Sequence, residues 1–321
     1  MPPDPSEASP AQDPLEASPD PLEASLDPFG ASLDPFEAER PHLLAVAYRM
    51  LGSRAEAEDA VQEAWLRYDR AQGGGEIHDL RGWLTTITGR ICLDVLKSAR
   101  VRREAYPGPW LPEPMVSFLD DPAERVAQRQ EVSLALLVVL EKLTPEQRVA
   151  VVLHDAFAVP FDEVAAVLNT TVSAARQHAS RGRRAVAEGQ ARHTADLTEQ
   201  RQVLEAFLAA AGSGDLLALA AVLAPEVVAF NDGGGIVNAG RNPIYGADRV
   251  ARFYAGIFSQ RLRDTRDVTL EPVLVNGAAG VLARGDYLDG RKLLSLFTAA
   301  VSDGRITAIY NQLNPVKLGD C

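Results

Sequence analysis

The sequence contains little cysteine and no long apolar run. Only two of its 321 residues are cysteine. Cys92 and Cys321 lie far apart without a CxxC or histidine pattern, so neither a disulfide framework nor a metal site is predicted. No segment approaches the ~18 consecutive apolar residues of a membrane span, and no basic start leads into an apolar stretch. We therefore expect a cytoplasmic protein without a metal or cofactor.

Basic residues are absent from the first 38 positions, which carry nine acidic residues. Most of the net charge of -12 lies there, so the acidity of the whole chain does not exclude nucleic-acid binding. This segment repeats DPLEAS, DPLEAS, DPFGAS and DPFEAE every seven residues, but a proline in every unit forbids a heptad helix. We predict a disordered acidic tail over residues 1–38; an acidic decoy that competes with DNA for basic helices is the minority hypothesis.

The apolar periodicity divides the remaining chain into two all-α domains and an α+β domain. The predicted boundaries are a helical bundle at 39–104, a Pro-rich linker at 105–125, a second helical unit at 126–190 and the α+β domain at 195–321. In the last domain, two helices (199–211 and 215–223), a strand (226–230) and a helix (247–260) precede apolar runs broken by NG, DG and DG. Such dipeptides indicate hairpins, so the final 50 residues are predicted to form an antiparallel meander.

The stretch FDEVAAVLNTTVSAARQHASRGRRAV, residues 161–186, has the pattern of a helix, a tight turn and a second helix. Val164 and Leu168 lie on the apolar face of the first helix, Asn169 can adopt the left-handed conformation, and Thr171 can cap the second helix. Arginines on a helix can grip phosphate or read guanine in the major groove. The residues assigned to DNA are Arg176, Gln177, Ser180, Arg181, Arg183 and Arg184. The alternative is an ordinary helical hairpin with a solvated arginine face.

A second basic helix is predicted over residues 80–103. An aromatic side chain among cations suits a partly melted DNA strand, because the ring stacks on a base while the cations contact the backbone. The residues assigned to DNA here are Arg81, Trp83, Arg90, Lys97, Arg100 and Arg103. A tryptophan alone is more often a core residue. The preceding AEDAVQEAWLRY (57–68) is acidic and bears Trp65, which suggests a protein partner, the alternative being a solvated helix face.

These segments together resemble region 2 and region 4 of the extracytoplasmic-function (ECF) sigma factors of bacterial RNA polymerase. The resemblance implies that core RNA polymerase and promoter DNA are the partners. It implies that helix 80–103 and the GGGEIHD loop before it melt and hold the −10 element, while the helix bearing Arg176 reads the −35 element. The residues implied to dock on the polymerase are Asp59, Gln62, Glu63 and Trp65.

Three short motifs resemble the SigJ-type subgroup of these factors, whose members carry a fused SnoaL-like, NTF2-like domain with a curved antiparallel sheet. They are WLPEP (110–114), NDGGG (231–235) and NPVKL (314–318). The resemblance implies an in-built regulator that docks across the linker through Trp110, Pro112, Asp232, Gly233, Gly234, Gly235, Asn314 and Pro315. Two positions depart from the subgroup: Ile236 stands where Lys is usual, and Val316 where Asp is usual.

Two other functions stay open from the residues alone. A stand-alone helix-turn-helix repressor would bind a palindrome as a dimer. The last domain could instead retain small-ligand binding or isomerase or cyclase chemistry, with Asp232, Asp286 and Tyr310 as ionisable candidates and Arg241 and Arg284 nearby in sequence. All five histidines precede the last domain, so no His/Asp pair supports the enzyme, and we expect a non-enzymatic factor.

Overall fold

The computed structural model describes residues 34–72, 77–118, 132–190 and 195–319, with the backbone alone at 99–104 and 189–190. The predicted disorder of residues 1–33, part of the GGGEIHD loop and the side chains of Arg100 and Arg103 lie outside the described residues. Within the described ranges, no helix is long and apolar enough to cross a bilayer.

The first helical domain consists of α1 (Pro35–Leu51), α2 (Arg54–Ala71) and α3 (Leu80–Glu104). Helix α1 begins before the boundary predicted at residue 38. Proline is tolerated at a helix start, and the Asp34 carboxylate accepts a hydrogen bond from the Phe36 amide. Phe36 is buried and stacks on Tyr68. The last repeat of the acidic segment therefore belongs to the folded domain, and the predicted tail is too long.

The second helical domain contains α4 (Leu134–Leu140), α5 (Pro145–Val151), a π-helical turn (Val152–Ala156), α6 (Phe161–Leu168) and α7 (Val172–Gln190). Helix α6 ends at Asn169 in the left-handed conformation, and the Thr171 hydroxyl caps α7 as predicted. Gly182 lies inside α7 because a Cβ there would come within 2.4 Å of the Val151 side chain. Glycine weakens a helix, but at this position it allows α5 to pack closely against α7.

The α+β domain carries a seven-stranded sheet in the order β1-β4-β5-β6-β7-β2-β3. Its helices are α8 (Leu197–Ser213), α9 (Leu216–Val222), α10 (Ala247–Asp264) and α11 (Pro315–Leu318). The strands are β1 (Val116–Phe118), β2 (Leu223–Asp232), β3 (Ile244–Tyr245), β4 (Thr265–Val275), β5 (Ala278–Tyr287), β6 (Lys292–Ser302) and β7 (Arg305–Gln312). The predicted NG, DG and DG hairpins join β4 through β7. The predicted fold class is confirmed.

Two features of the sheet differ from the sequence-based expectation. Strand β2 pairs with β7 in parallel, so the sheet is not wholly antiparallel. Strand β1 comes from the linker and pairs with the end of β4, Val116 lying opposite Val275. The prolines of the linker exclude a helix, and a partly docked linker was expected; residues 116–118 form a strand because the edge of β4 offers them backbone partners.

The two faces of the sheet pack against different parts of the chain. One face, with Val227, Ala229 and Phe297, shares a core with helices α8 and α10. The opposite face, with Leu296 and Tyr310, belongs to the same buried cluster as the helical domains. The C-terminal domain is therefore integrated with the rest of the protein through an apolar sheet face.

Candidate nucleic-acid interface and interdomain junction

Helix α7 presents its predicted DNA-binding residues to solvent. Arg176, Gln177, Ser180, Arg181, Arg183 and Arg184 are all exposed, whereas Ala175 and Ala179 on the opposite side are fully buried. Arg183 forms an ion pair of 3.0 Å with Asp155, and the Arg176 guanidinium lies 5.6 Å from the Phe161 ring centre. The helix therefore offers a basic face that is accessible to duplex DNA.

Helix α3 presents its predicted DNA-binding residues less freely. Arg81, Arg90 and Lys97 are exposed, but Trp83 is half-buried and meets Tyr68 edge to face. Thr85 and Thr88, which lie between these residues in sequence, are buried. They face the core because a helix turns 100° per residue and positions 85 and 88 follow Leu84 onto the apolar side.

Helix α3 also packs on the helix-turn-helix. The Arg90 guanidinium donates a hydrogen bond of 3.2 Å to the Ala166 carbonyl near the end of α6. One position earlier, a Cβ at Gly89 would lie 3.2 Å from the Leu153 side chain and 3.4 Å from that of Val167. Glycine at position 89 thus allows the two domains to approach closely. Arg90, one of the predicted DNA contacts, is bonded to protein in this arrangement.

Helix α1 adds two contacts between the helical domains. The buried Arg148 guanidinium donates to the Met50 carbonyl at the end of α1, over 2.9 Å. Phe157 meets the His42 ring edge-on and lies under the Arg49 guanidinium, 4.8 Å from its ring centre. Burial, followed by the charge of Arg81, lowers the pKa of His42 from its ordinary value. The neutral ring therefore fits this cation-rich contact.

Helix α2 exposes the residues predicted to dock on a protein partner. Asp59 and Gln62 are exposed, and Trp65 and Leu66 leave 39% and 37% of their surfaces open. Glu63 is half-buried and pairs with Arg67 over 2.9 Å. An exposed tryptophan beside a leucine and acidic groups is the composition expected of a protein-binding surface.

Asp232 ends β2 and is completely buried. One carboxylate oxygen accepts hydrogen bonds from the Tyr106 hydroxyl (2.6 Å) and the Gly234 amide (3.0 Å). The other accepts from the Leu111 amide (2.9 Å) and the Lys317 ammonium (2.7 Å). A buried carboxylate is tolerated only with such pairing. We call the site formed by Tyr106, Trp110, Leu111, Asp232 and Lys317 the linker seat, because it joins the linker to the C-terminal domain.

Lys317 was not among the predicted site residues, although it lies within the NPVKL motif. Its ammonium lies 4.1 Å from the Trp110 ring centre and 4.9 Å from that of Tyr106, and it donates to the Leu111 carbonyl over 2.6 Å. Burial and the bond to Asp232 raise the pKa of Tyr106, so the phenol stays protonated and donates. The predicted Trp110 therefore acts as one wall of a cation site.

The NDGGG glycines let the loop after β2 approach the linker. A Cβ at Gly234 would lie 2.4 Å from the Asn314 amide, and one at Gly235 would lie 2.6 Å from the Pro107 ring. Both residues have positive φ, of 61° and 73°, which glycine adopts without strain. Asn314 in turn donates to the Tyr106 hydroxyl and caps α11.

The linker also contacts the first helical domain, through Glu113. Its carboxylate accepts hydrogen bonds from the Arg54 amide (2.8 Å) and the Ser53 hydroxyl (3.1 Å) at the start of α2. Its carbonyl accepts from the Tyr48 hydroxyl over 2.7 Å. The predicted Pro112 is buried beside Gly52. A negative charge at a helix N-terminus is favourable, so the linker holds α2 at a defined position.

Asn276, in the turn after β4, contacts all three domains. Its amide nitrogen donates to the Tyr48 hydroxyl (3.0 Å) and to the Val132 carbonyl (3.1 Å). Its amide oxygen accepts from the Met115 amide over 3.0 Å. The sequence indicated only a hairpin turn here, because no local signal reveals which distant groups a turn side chain meets.

The two departures from the subgroup motifs fall outside this junction. Ile236 and Val316 are 62% and 76% exposed, so the seat forms without a polar side chain at either position. Pro315 occupies the first turn of α11, where its missing amide is not needed.

The candidate catalytic residues of the α+β domain do not form one site. Asp286 pairs with Lys292 at the surface, and that hydrogen bond holds the pKa of the carboxyl below its ordinary value. Arg284 pairs with Glu271, and Tyr310 stacks on Phe230 on the sheet face turned toward the helical domains. Arg241 is exposed. The core between sheet and helices is filled instead by Phe207, Tyr254 and Phe297, whose rings contact one another.

Comparison with known proteins matches both helical domains and most of the chain. The family models Sigma-70 region 2 and Sigma-70, region 4 match residues 36–102 and 133–186. The ECF RNA polymerase sigma factor SigJ of Mycobacterium tuberculosis is 43% identical over 287 residues, 88% of this chain and 91% of the relative. SigI of the same species is 36% identical over 290 residues, 88% of this chain and 92% of the relative. The crystal structure of SigJ aligns with a TM-score of 0.67 at 39% identity, covering 88% of this chain and 96% of that chain.

Proposed function

Because this chain belongs to the ECF sigma factors of bacterial RNA polymerase, we propose a role for each of its surfaces in promoter-specific initiation. As a sigma factor it binds core RNA polymerase and promoter DNA and directs the start of transcription. We assign polymerase docking to Asp59, Gln62, Glu63 and Trp65 on α2. Acting with RNA polymerase, the protein works in the cytoplasm.

We assign reading of the −35 element to the exposed face of α7. We assign binding of the −10 element to α3, after α3 has separated from α6. The accessibility of all six α7 side chains supports the first assignment. The second requires a movement, because Arg90 is bonded to Ala166. Elements named −10 and −35 are about 25 base pairs apart, which is about 85 Å of duplex. Two domains in direct contact cannot span that distance.

The C-terminal domain is proposed to regulate this separation through the linker seat. The observation that carries the proposal is the buried Asp232 carboxylate, which is bonded to Tyr106 and Leu111 of the linker. Glu113 of the same linker is bonded to the start of α2. While the seat is formed, residues 106–113 of the linker are held against both the C-terminal domain and the first helical domain, and in this proposal the helical domains stay together.

A regulatory role is favoured over catalysis by two features. The Asp232 carboxylate already accepts four hydrogen bonds, so it is poorly suited to act as a general base, which needs a free acceptor near its substrate. The aromatic side chains of Phe207, Tyr254 and Phe297 occupy the core where an enclosed substrate pocket would lie.

The test is transcription in vitro with core polymerase and full-length protein variants. Asp232→Asn places an amide beside the Lys317 ammonium and should weaken the seat. We expect severalfold more transcript at limiting protein, because a released linker lets the domains separate. Asp286→Asn, at a half-buried surface carboxylate that pairs with Lys292 away from the seat, is the matched control. Equal transcript yields from the wild type and Asp232→Asn would refute regulation through the seat.

A further inference from the structure

An open cleft lies at the outer end of the C-terminal domain, apart from the aromatic core. It has a volume of ≈ 470 Å³ and is formed by the last turns of α10, the β5–β6 turn and the loop after β2. Ile257 and Leu288 contribute apolar surface to its walls, and Tyr287 also lines it, with the Arg291 guanidinium 5.0 Å from its ring centre. This volume falls within the range of small-molecule sites, about 300–1,000 Å³.

The polar side chains of the cleft favour an anion. The half-buried Arg261 lines it, and in the described part of the chain no carboxylate pairs with the Arg261 guanidinium. The second arginine, Arg291, is neutralised by Asp289 at 2.7 Å. Asp264 lies at the wall but is exposed to solvent. Arg261 is therefore the cation left available for a ligand carboxylate, which a guanidinium can hold through two parallel hydrogen bonds.

One wall of the cleft is also the back of the loop that contacts the linker. Val237 and Asn238 line the cleft. On either side of them in sequence, Gly235 approaches Pro107, and the Gly240 carbonyl approaches Gly108. The loop spanning residues 233–241 is thus held between the linker and the cleft. Positive φ at Gly234, Gly235 and Gly240 gives it conformations that other residues would resist.

We propose that this cleft is an effector site for a small organic anion with an apolar or aromatic body, and that its occupancy changes the linker seat through the 233–241 loop. The carboxylate would bind Arg261, and the body would lie against Ile257 and Leu288. Only the coupling to the linker rests on the proposed function; the binding site itself does not.

The probe is naphthalene-2-carboxylate, compared with the neutral naphthalene-2-carboxamide, by isothermal titration calorimetry on the full chain. We expect the carboxylate to bind about tenfold more tightly, the size of one charge-assisted hydrogen bond. Arg261→Gln should abolish this preference. Arg263→Gln, at an exposed arginine two residues away whose guanidinium contacts Ser259, should retain it. Asp264→Asn should tighten carboxylate binding by removing a like charge.

Hydrogen exchange at the Leu111 amide, which donates to Asp232, reports on the coupling without polymerase. We expect the carboxylate to change its exchange rate in the wild type and in Arg263→Gln, but not in Arg261→Gln. The absence of saturable binding, equal affinities for the two probes, or an Arg261→Gln variant that binds normally would each overturn the site. Binding without any change at Leu111 would overturn the coupling. Since no transcription is measured, these failures are distinct from failure of the proposed regulation.

Discussion

The two arginine-bearing helices, α3 and α7, differ in how freely they present their charges. Helix α7 packs through small buried alanines and leaves its six predicted contacts exposed. Helix α3 lies between two domains, with Arg90 bonded to α6 and its threonines in the core. If both helices bind DNA as proposed, the surface of α7 is accessible in this arrangement, whereas that of α3 is released only when the helical domains separate.

The largest expected effect comes from breaking the linker seat, which is proposed to keep α3 against α6. Asp232→Ala leaves the Lys317 ammonium buried without its carboxylate and removes the acceptor of the Leu111 amide. Breaking one side of a buried pair costs about 3–5 kcal/mol, so the free energy of unfolding in urea should fall by that amount. Asp286→Ala, which breaks only a surface ion pair with Lys292, should lower it far less. Equal stability of the two variants would show that the seat contributes nothing.

A smaller effect is expected at the turn that contacts all three domains. Asn276→Ala removes the donor to Val132 and Tyr48 and the acceptor of Met115, so the free energy of unfolding should fall by about 2 kcal/mol. The matched control is Asp303→Ala, in an exposed turn with φ of 51° against 49° for Asn276. Position 303 therefore has the same left-handed backbone conformation as position 276 but lies outside the junction. If both variants lose the same stability, the loss comes from the backbone alone.

The readiness of α7 is tested by Arg181→Ala. If this side chain touches bases, holoenzyme affinity for the upstream element should fall by about 1–3 kcal/mol, with relaxed specificity at one position. Binding is measured by gel shift on promoters with single base changes, and Glu188→Ala on the same helix is the control. A uniform loss on every DNA sequence would instead assign Arg181 to the phosphate backbone.

The smallest effect is expected at the contact between α3 and α6. Arg90→Ala removes one partly exposed hydrogen bond, so the free energy of unfolding should fall by about 0.5–1 kcal/mol. Lys97→Ala, at an exposed position further along the same helix, should have no such effect. A loss at Arg90 as large as that at Asp232 would mean that the helical domains hold each other and do not depend on the seat.

The sequence predicted what local patterns determine. Periodicity and turn dipeptides were sufficient for the helices and the β4–β7 hairpins, and Asn169 marked the helix-turn-helix corner. The motifs indicated Asp232 and Trp110, and the structure brings these two together at the seat. Glu113, Asn276 and Lys317 were missed as junction residues, because their roles depend on groups far away in sequence. Strand β1 was missed for the same reason, because a Pro-rich segment forms a strand only where the edge of a sheet offers it backbone partners.

We propose that the C-terminal domain keeps the helical domains together through the linker seat. Pulsed electron resonance between spin labels on Ser98→Cys in α3 and Glu188→Cys in α7, with Cys321 replaced by serine, tests it directly. We predict one short, narrow distance in the otherwise unaltered chain and an added longer population in Asp232→Ala. An unchanged distance distribution in Asp232→Ala would contradict the claim.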